Sequence, residues 1–183
     1  MKKIFVHLAD GFEEIEALTP VDVLRRAGCE VTMVSVTGKQ QVKSSRGIVV
    51  VADKLFEEVN YSDVDMLVLP GGMPGSKHLD EHAGLKEKLV EAEKNGKWLA
   101  AICAAPMVLG HLGLLKGKKA TCYPGTEPDL LGATPTGSAV EKDGKIITSN
   151  GAGSSLKFSF ALVEVLINKE KAKDVAAKMM SAY

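Results

Sequence analysis

The sequence predicts a doubly wound α/β domain, a mostly parallel sheet with helices on both faces. Three observations predict it. Short β-rich runs recur along the chain at 4–8, 31–36, 66–69 and 98–102. Several are apolar with little alternation, the mark of strands buried on both faces. Amphipathic stretches of helical length separate them, the order expected of a parallel sheet wrapped by helices. At 183 residues the chain fits one domain, residues 1–183, at roughly 150 residues per domain.

Each element has its own signal. Residues 4–8 form the first strand. A helix follows over 15–27, and Gly28 closes it in the position that favours a left-handed residue. Residues 31–36 form a second strand ended by Thr37-Gly38, and 48–52 are a third β-rich run. Met66 to Leu69 is a strand ended by Pro70-Gly71-Gly72. Residues 81–95 read as a helix with Gly96 after it. The strand at 98–102 leads into a helix from about 104 to 112. Residues 124–137 carry turn residues throughout and read as a surface loop. Lys142-Asp143-Gly144-Lys145 lies between two β-rich runs, a hairpin signal. Two helices, 154–167 and 169–181, close the chain.

Composition narrows the function classes. Hydrophobic residues make up 45% and charged residues 25%, which excludes a disordered chain. Basic and acidic residues number 23 each, so the net charge is zero and no global field attracts nucleic acid or an anionic membrane. No apolar run approaches the roughly 20 residues of a membrane span. The N-terminus is charged, then apolar, and runs into Asp10, so it is read as a strand rather than a signal peptide. Cys29, Cys103 and Cys122 form no C-x-x-C pair, which speaks against a disulfide framework and for a reducing cytoplasm. The four histidines lack H-x-x-x-H spacing, and no glycine-rich phosphate loop follows a strand. Neither a metal nor a nucleotide cofactor is expected.

In open α/β sheets ligands bind beyond the carboxyl ends of the strands. Four unusual loops follow the strong strands: Asp10 to Glu16, Pro70 to Gly75, Cys103 to Pro106, and Asn150 to Gly153. Cys103 stands at a tight strand-to-helix turn, laid out like a nucleophile elbow with alanines in place of glycines. A helix N-terminus there would favour the thiolate; a buried structural thiol is the competing reading. Cys29, entering a strand, reads as core. Cys122 stays open. Glu13, Glu14 and Glu16 suit the positive end of the first helix. Glu16, beside a cysteine in an apolar pocket, would have a raised pKa and could donate a proton. The amides of Gly72 and Ala104 could together form an oxyanion pocket; a plain turn is the alternative.

These motifs, in this order, resemble the ThiJ/PfpI superfamily, in the branch of the Parkinson-associated protein deglycase and its small bacterial relatives. The resemblance runs through Asp10-Gly11-Phe12-Glu13-Glu14-Ile15-Glu16-Ala17, Val21 to Gly28, Ser45-Arg46-Gly47, Leu67 to Gly72, Ala100 to Pro106 and Thr148 to Gly153. It implies a flavodoxin-like sandwich and a homodimer. It implies that Cys103 is the reactive cysteine, that protonated Glu16 hydrogen-bonds it, and that Gly72 and Ala104 supply the oxyanion amides. Arg46 would approach the partner subunit's site, and Tyr123 and Gly151 would line the pocket. The implied activities are cofactor-free glyoxalase or deglycase chemistry on a small dicarbonyl or glycated substrate, or redox sensing and chaperone-like protection in oxidative stress. Two positions depart from the pattern. Tyr123 stands where members with a Cys–His pair carry histidine, and tyrosine is a poor base near neutral pH. Ala104 stands where the peptidase branch has histidine. Both weaken a peptidase reading and leave proton transfer chiefly to Glu16.

Overall fold

A computed structural model describes residues 1–183. Seven strands form the main sheet. In chain order they are β1 (Lys3–Leu8), β2 (Glu30–Ser35), β5 (Lys54–Leu55), β6 (Met66–Leu69), β7 (Trp98–Ile102), β10 (Val140–Asp143) and β11 (Ile146–Ser149). Across the sheet the order is β10-β11-β7-β6-β1-β2-β5, and all neighbours are parallel except the β10–β11 hairpin. The chain starts in the sheet at β1, builds outward through β2 and β5, then returns to the other side of β1 for β6 and β7. The loops leaving β1 and β6 therefore part at a topological switch point, where a crevice opens.

The alternation within each strand divides the core into two layers. Ile4, Val6, Leu8, Met66, Val68, Ala100 and Ile102 face α1 (Glu14–Arg26), α5 (Ser155–Leu166) and α6 (Lys169–Lys178). Phe5, Leu67, Leu69, Leu99 and Ala101 face α2 (Gly75–Glu81), α3 (Ala83–Lys94) and α4 (Pro106–His111). Both layers are closely buried and apolar, so the sheet supports the loops at its upper edge. No helix is long and apolar enough to cross a membrane.

Four local readings change. The run at 48–52 is not a strand of the main sheet: β4 (Val49–Val51) pairs antiparallel with β3 (Gln41–Lys43) as a separate ribbon. The helix expected over 81–95 is present as α3, but a separate helix, α2, precedes it and begins at Gly75, where a loop is expected; His82 is extended between the two, and its ring accepts the Leu85 N–H at 3.0 Å, capping α3. α4 starts at Pro106, whose ring suits the first helical turn. The expected surface loop 124–137 contains a 3₁₀ turn at Glu127–Asp129 and a short strand, β9 (Thr134–Pro135), paired with β8 (Lys119–Ala120).

Candidate active site

Cys103 follows the last residue of β7 and has φ of +65°, a left-handed conformation that only Met180 shares among non-glycine residues. Such a backbone costs about 1–3 kcal/mol and persists only where neighbours hold it. Here the Cys103 N–H donates to the Ser149 carbonyl at 2.8 Å, and the Cys103 carbonyl accepts the Tyr123 N–H at 2.8 Å. The end of β11 and the chain after β8 thus clamp the turn from both sides. The thiol is half-buried, whereas Cys29 and Cys122 are buried.

Glu16 comes from the first turn of α1 and is 1% exposed. Its Oε2 accepts the Gly71 N–H at 2.9 Å, and its carboxyl lies close enough to the Cys103 thiol for each group to shift the other's pKa. The backbone N–H groups of Gly72 and Ala104 also point at the sulfur. Glycine is required at Gly71 for space: a Cβ would lie 2.5 Å from Glu16 Oε2, 2.6 Å from Cys103 Cβ and 2.8 Å from the Ile102 carbonyl. Gly72 has φ of +89°, and a Cβ on it would meet the Glu13 nitrogen at 2.5 Å. These two glycines let the β6 loop press against both the elbow and the β1 loop.

Burial pushes the Glu16 carboxyl up to about 7, opposed by the Cys103 thiol and the Gly71 amide and reinforced by the charge of Glu13. Burial, and then the Glu16 carboxylate, push the Cys103 thiol up to about 12. The helix-lowered thiol expected from sequence is therefore corrected. α4 is only six residues long and begins three residues beyond the sulfur, so desolvation and a neighbouring acid outweigh it. The two groups behave as one acid pair. Between about pH 7 and about 12 the pair carries a single negative charge and holds one proton. Placing that proton on Glu16 makes a thiolate, which the Gly72 and Ala104 amides stabilise.

Of the remaining candidates, Tyr123 touches the elbow through its N–H, while no hydrogen bond joins Arg46 to Cys103 or Glu16. Arg46 is exposed at the tip of the β3–β4 ribbon. The ribbon is strapped to the β1 loop by Ser45 N–H to the Phe12 carbonyl (2.7 Å), Gly11 N–H to the Lys43 carbonyl (2.8 Å) and Lys43 N–H to Asp10 Oδ1 (2.9 Å). Tyr123 is 54% exposed, and its ring lies 3.6 Å from the position of a Cβ on Gly151. Both line a hollow with Asn150, Ser154 and Lys157. Sequence reasoning missed Gly71, the amide that holds the acid, and Ser149, the carbonyl that holds the elbow. It read Glu13 only as one of several helix-end acids; the side chain accepts the Glu16 N–H at 2.8 Å. An N-cap acid three residues before another glutamate was a capping signal available in the sequence. No group of three or more His, Cys, Asp or Glu side chains is arranged to hold a metal.

Comparison with known proteins agrees with this geometry. The DJ-1/PfpI family model matches residues 2–165. Protein DJ-1 homolog B of Arabidopsis thaliana is 43% identical over 181 residues, 98% of this chain but 41% of the relative, so the chain spans less than half of that protein. A protein of Pyrococcus abyssi named a deglycase is 34% identical over 90% of this chain and 99% of its own length. The structure of oxidised Toxoplasma gondii DJ-1 superposes with a TM-score of 0.96 at 42% identity, covering all of both chains. A mostly parallel sheet sandwiched by helices, a strained cysteine elbow and a full-length match converge on one conclusion: the chain belongs to the DJ-1/PfpI family.

Proposed function

We propose that this protein is a cofactor-independent, cysteine-dependent enzyme of the glyoxalase or deglycase type, acting on methylglyoxal or on glycated adducts. The observation that carries the reading is the buried acid Glu16 set beside Cys103 across Gly71, with the Gly72 and Ala104 amides near the sulfur. The thiolate adds to the aldehyde carbon of methylglyoxal, and the carbonyl π electrons move to oxygen. The amides hold that oxyanion, and a proton from Glu16 converts it to a hemithioacetal. The Glu16 carboxylate then takes the C1 proton, giving an enediol-like state, and returns it to C2. The product is a thioester of lactate on Cys103. Water hydrolyses it, so one methylglyoxal and one water give one lactate with no external oxidant. A glycated amine or thiol adduct enters the same path once its leaving group departs. The relative named a deglycase supports this chemistry.

The test follows consumption of free methylglyoxal and of preformed glycated adducts in parallel, without glutathione or metal. Lactate from both, with adducts consumed no faster than they dissociate, identifies a glyoxalase. Faster consumption of adducts identifies a deglycase. Lactate formation that survives Cys103→Ala overturns the mechanism.

A second reading has its own support. Cys103 is the one cysteine that is not buried, and a close structural neighbour is an oxidised DJ-1. Here Cys103 is a peroxide sensor in a stress-protective protein, and protonated Glu16 binds the new sulfur oxygens. The protein in this account works in the cytoplasm as a homodimer. Exposed Ile15, Val49 and Val51, on α1 and the β3–β4 ribbon, supply apolar surface for the contact. Sedimentation at micromolar concentration should show a dimer; a monomer there removes the dimer from the account.

A further inference from the structure

We infer that Glu13 is a positioning residue, one that steers the proton shared by Glu16 and Cys103 onto Glu16 and so sets how much thiolate the site holds. The inference rests on the catalytic reading of the Cys103–Glu16 pair and deepens it.

The geometry comes first. Glu13 is the N-cap of α1, and its Oε2 accepts the backbone N–H of Glu16 at 2.8 Å. The Glu13 N–H donates to the Gly71 carbonyl at 2.9 Å, while the N–H of the same Gly71 donates to Glu16 Oε2 at 2.9 Å. Glu13 and Glu16 are therefore tied to the two polar ends of one glycine. Next to it, Gly72 packs so closely on Glu13 that a Cβ would meet its nitrogen at 2.5 Å, and the Gly72 N–H points at the sulfur. The Glu13 carboxylate is fixed in place by this lattice, near one member of the pair.

The electrostatics are asymmetric. The groups acting on Glu16 are the Cys103 thiol, the Gly71 amide and the Glu13 charge. The strongest influences on Cys103 are Glu16 and the Gly72 and Ala104 amides, while the Glu13 carboxylate is held on the Glu16 N–H itself. Negative charge at Glu13 thus opposes a carboxylate at Glu16 more than a thiolate at Cys103. Within the singly charged pair it favours the neutral acid beside the anionic sulfur. A cap alone needs only an oxygen acceptor, so the charge and the cap are separable.

The experiment compares wild type, Glu13→Gln and Cys103→Ala by ultraviolet thiolate absorbance against pH, with the Cys103→Ala spectrum subtracted. Glutamine keeps the acceptor for the Glu16 N–H and removes only the charge. A charge at this range shifts a neighbouring group by about half to one pKa unit. In Glu13→Gln the thiolate plateau above neutral pH should fall about three- to tenfold, and the midpoint at which the pair loses its first proton should move to lower pH. An unchanged plateau and midpoint in folded Glu13→Gln overturns the inference. Should that variant not fold, Glu13→Asp takes its place, since aspartate is both charged and a preferred N-cap. It should keep the plateau within about twofold of wild type by the same range of shifts, and a folded Glu13→Asp without thiolate overturns the inference. The absorbance needs no turnover. A protein that makes no lactate but shows the charge-dependent thiolate refutes the enzymatic reading and leaves the role of Glu13 intact.

Discussion

Gly71→Ala is the smallest change that should separate the acid from the thiol. The added methyl would sit 2.5 Å from Glu16 Oε2, 2.6 Å from Cys103 Cβ and 2.8 Å from the Ile102 carbonyl. Ordinary carbon contacts are about 3.5–4.0 Å, so each of the three neighbours must retreat by roughly 1 Å. Two of them belong to the strained elbow and its strand, which are pinned by hydrogen bonds to Ser149 and Tyr123. The carboxyl of Glu16 is the freer member, and moving it breaks its bond to Gly71 and separates it from the thiol. Overpacking of this kind costs about 1–3 kcal/mol, or about 4–8 °C in Tm for a middle value of about 2 kcal/mol in a chain of this size. A displacement of about 1 Å at reacting groups lowers turnover by about 100-fold. Lactate formation measured beside thermal unfolding checks both numbers. Wild-type turnover with an unchanged Tm would refute the close packing on which the site is argued.

Three further outcomes follow from the buried groups. Glu16 is raised from 4.5 to about 7 by burial, so the folded state holds its proton more tightly than the unfolded chain. Stability from this group is present below about pH 4.5 and is lost as pH rises toward about 7. Glu16→Gln should therefore gain Tm over wild type above pH 7 and not at pH 4, while losing lactate formation at every pH; equal Tm differences at both pH values contradict the burial argument. His7, fully buried in β1 with Nε2 at 3.0 Å from the Tyr61 hydroxyl, is lowered to about 4, chiefly by burial. Its contribution has the opposite sign: it is present above about pH 6.5 and lost as pH falls toward 4, worth about 3 kcal/mol over the window. His7→Gln should flatten the acid side of the Tm–pH curve, and a curve of unchanged slope there counts against it. Under limiting peroxide, mass gain should appear on Cys103 before Cys29 or Cys122, because only Cys103 is accessible; earlier oxidation of either buried cysteine contradicts the assignment.

The strands that carry the site were legible because they are buried on both faces and so need unbroken apolar runs. β6 and β7, ending at Leu69 and Ile102, deliver Gly71 and Cys103 to one edge whatever the loops do. The β3–β4 ribbon was not legible as a separate unit, since Val49 and Val51 have the composition of sheet strands yet stand exposed. α2 was hidden because Pro74 and Gly75, the end of the loop expected after β6, are the cap and first residue of a helix. Within the site, Cys103 and Glu16 could be named from their loops. The direction of the thiol shift could not, because it depends on burial and on a carboxyl that arrives from a different strand's loop. Gly71 escaped for a related reason: its role is a missing atom and an amide, and neither shows in a side-chain pattern.

The central claim is that Cys103, working with Glu16, converts a dicarbonyl without help from any other molecule. The direct test is lactate formation from methylglyoxal by wild type and Cys103→Ala side by side, both shown to be folded, in buffer free of glutathione and metal. The account predicts lactate from the wild type and none above background from Cys103→Ala. Equal lactate from the two proteins, or none from either, contradicts it.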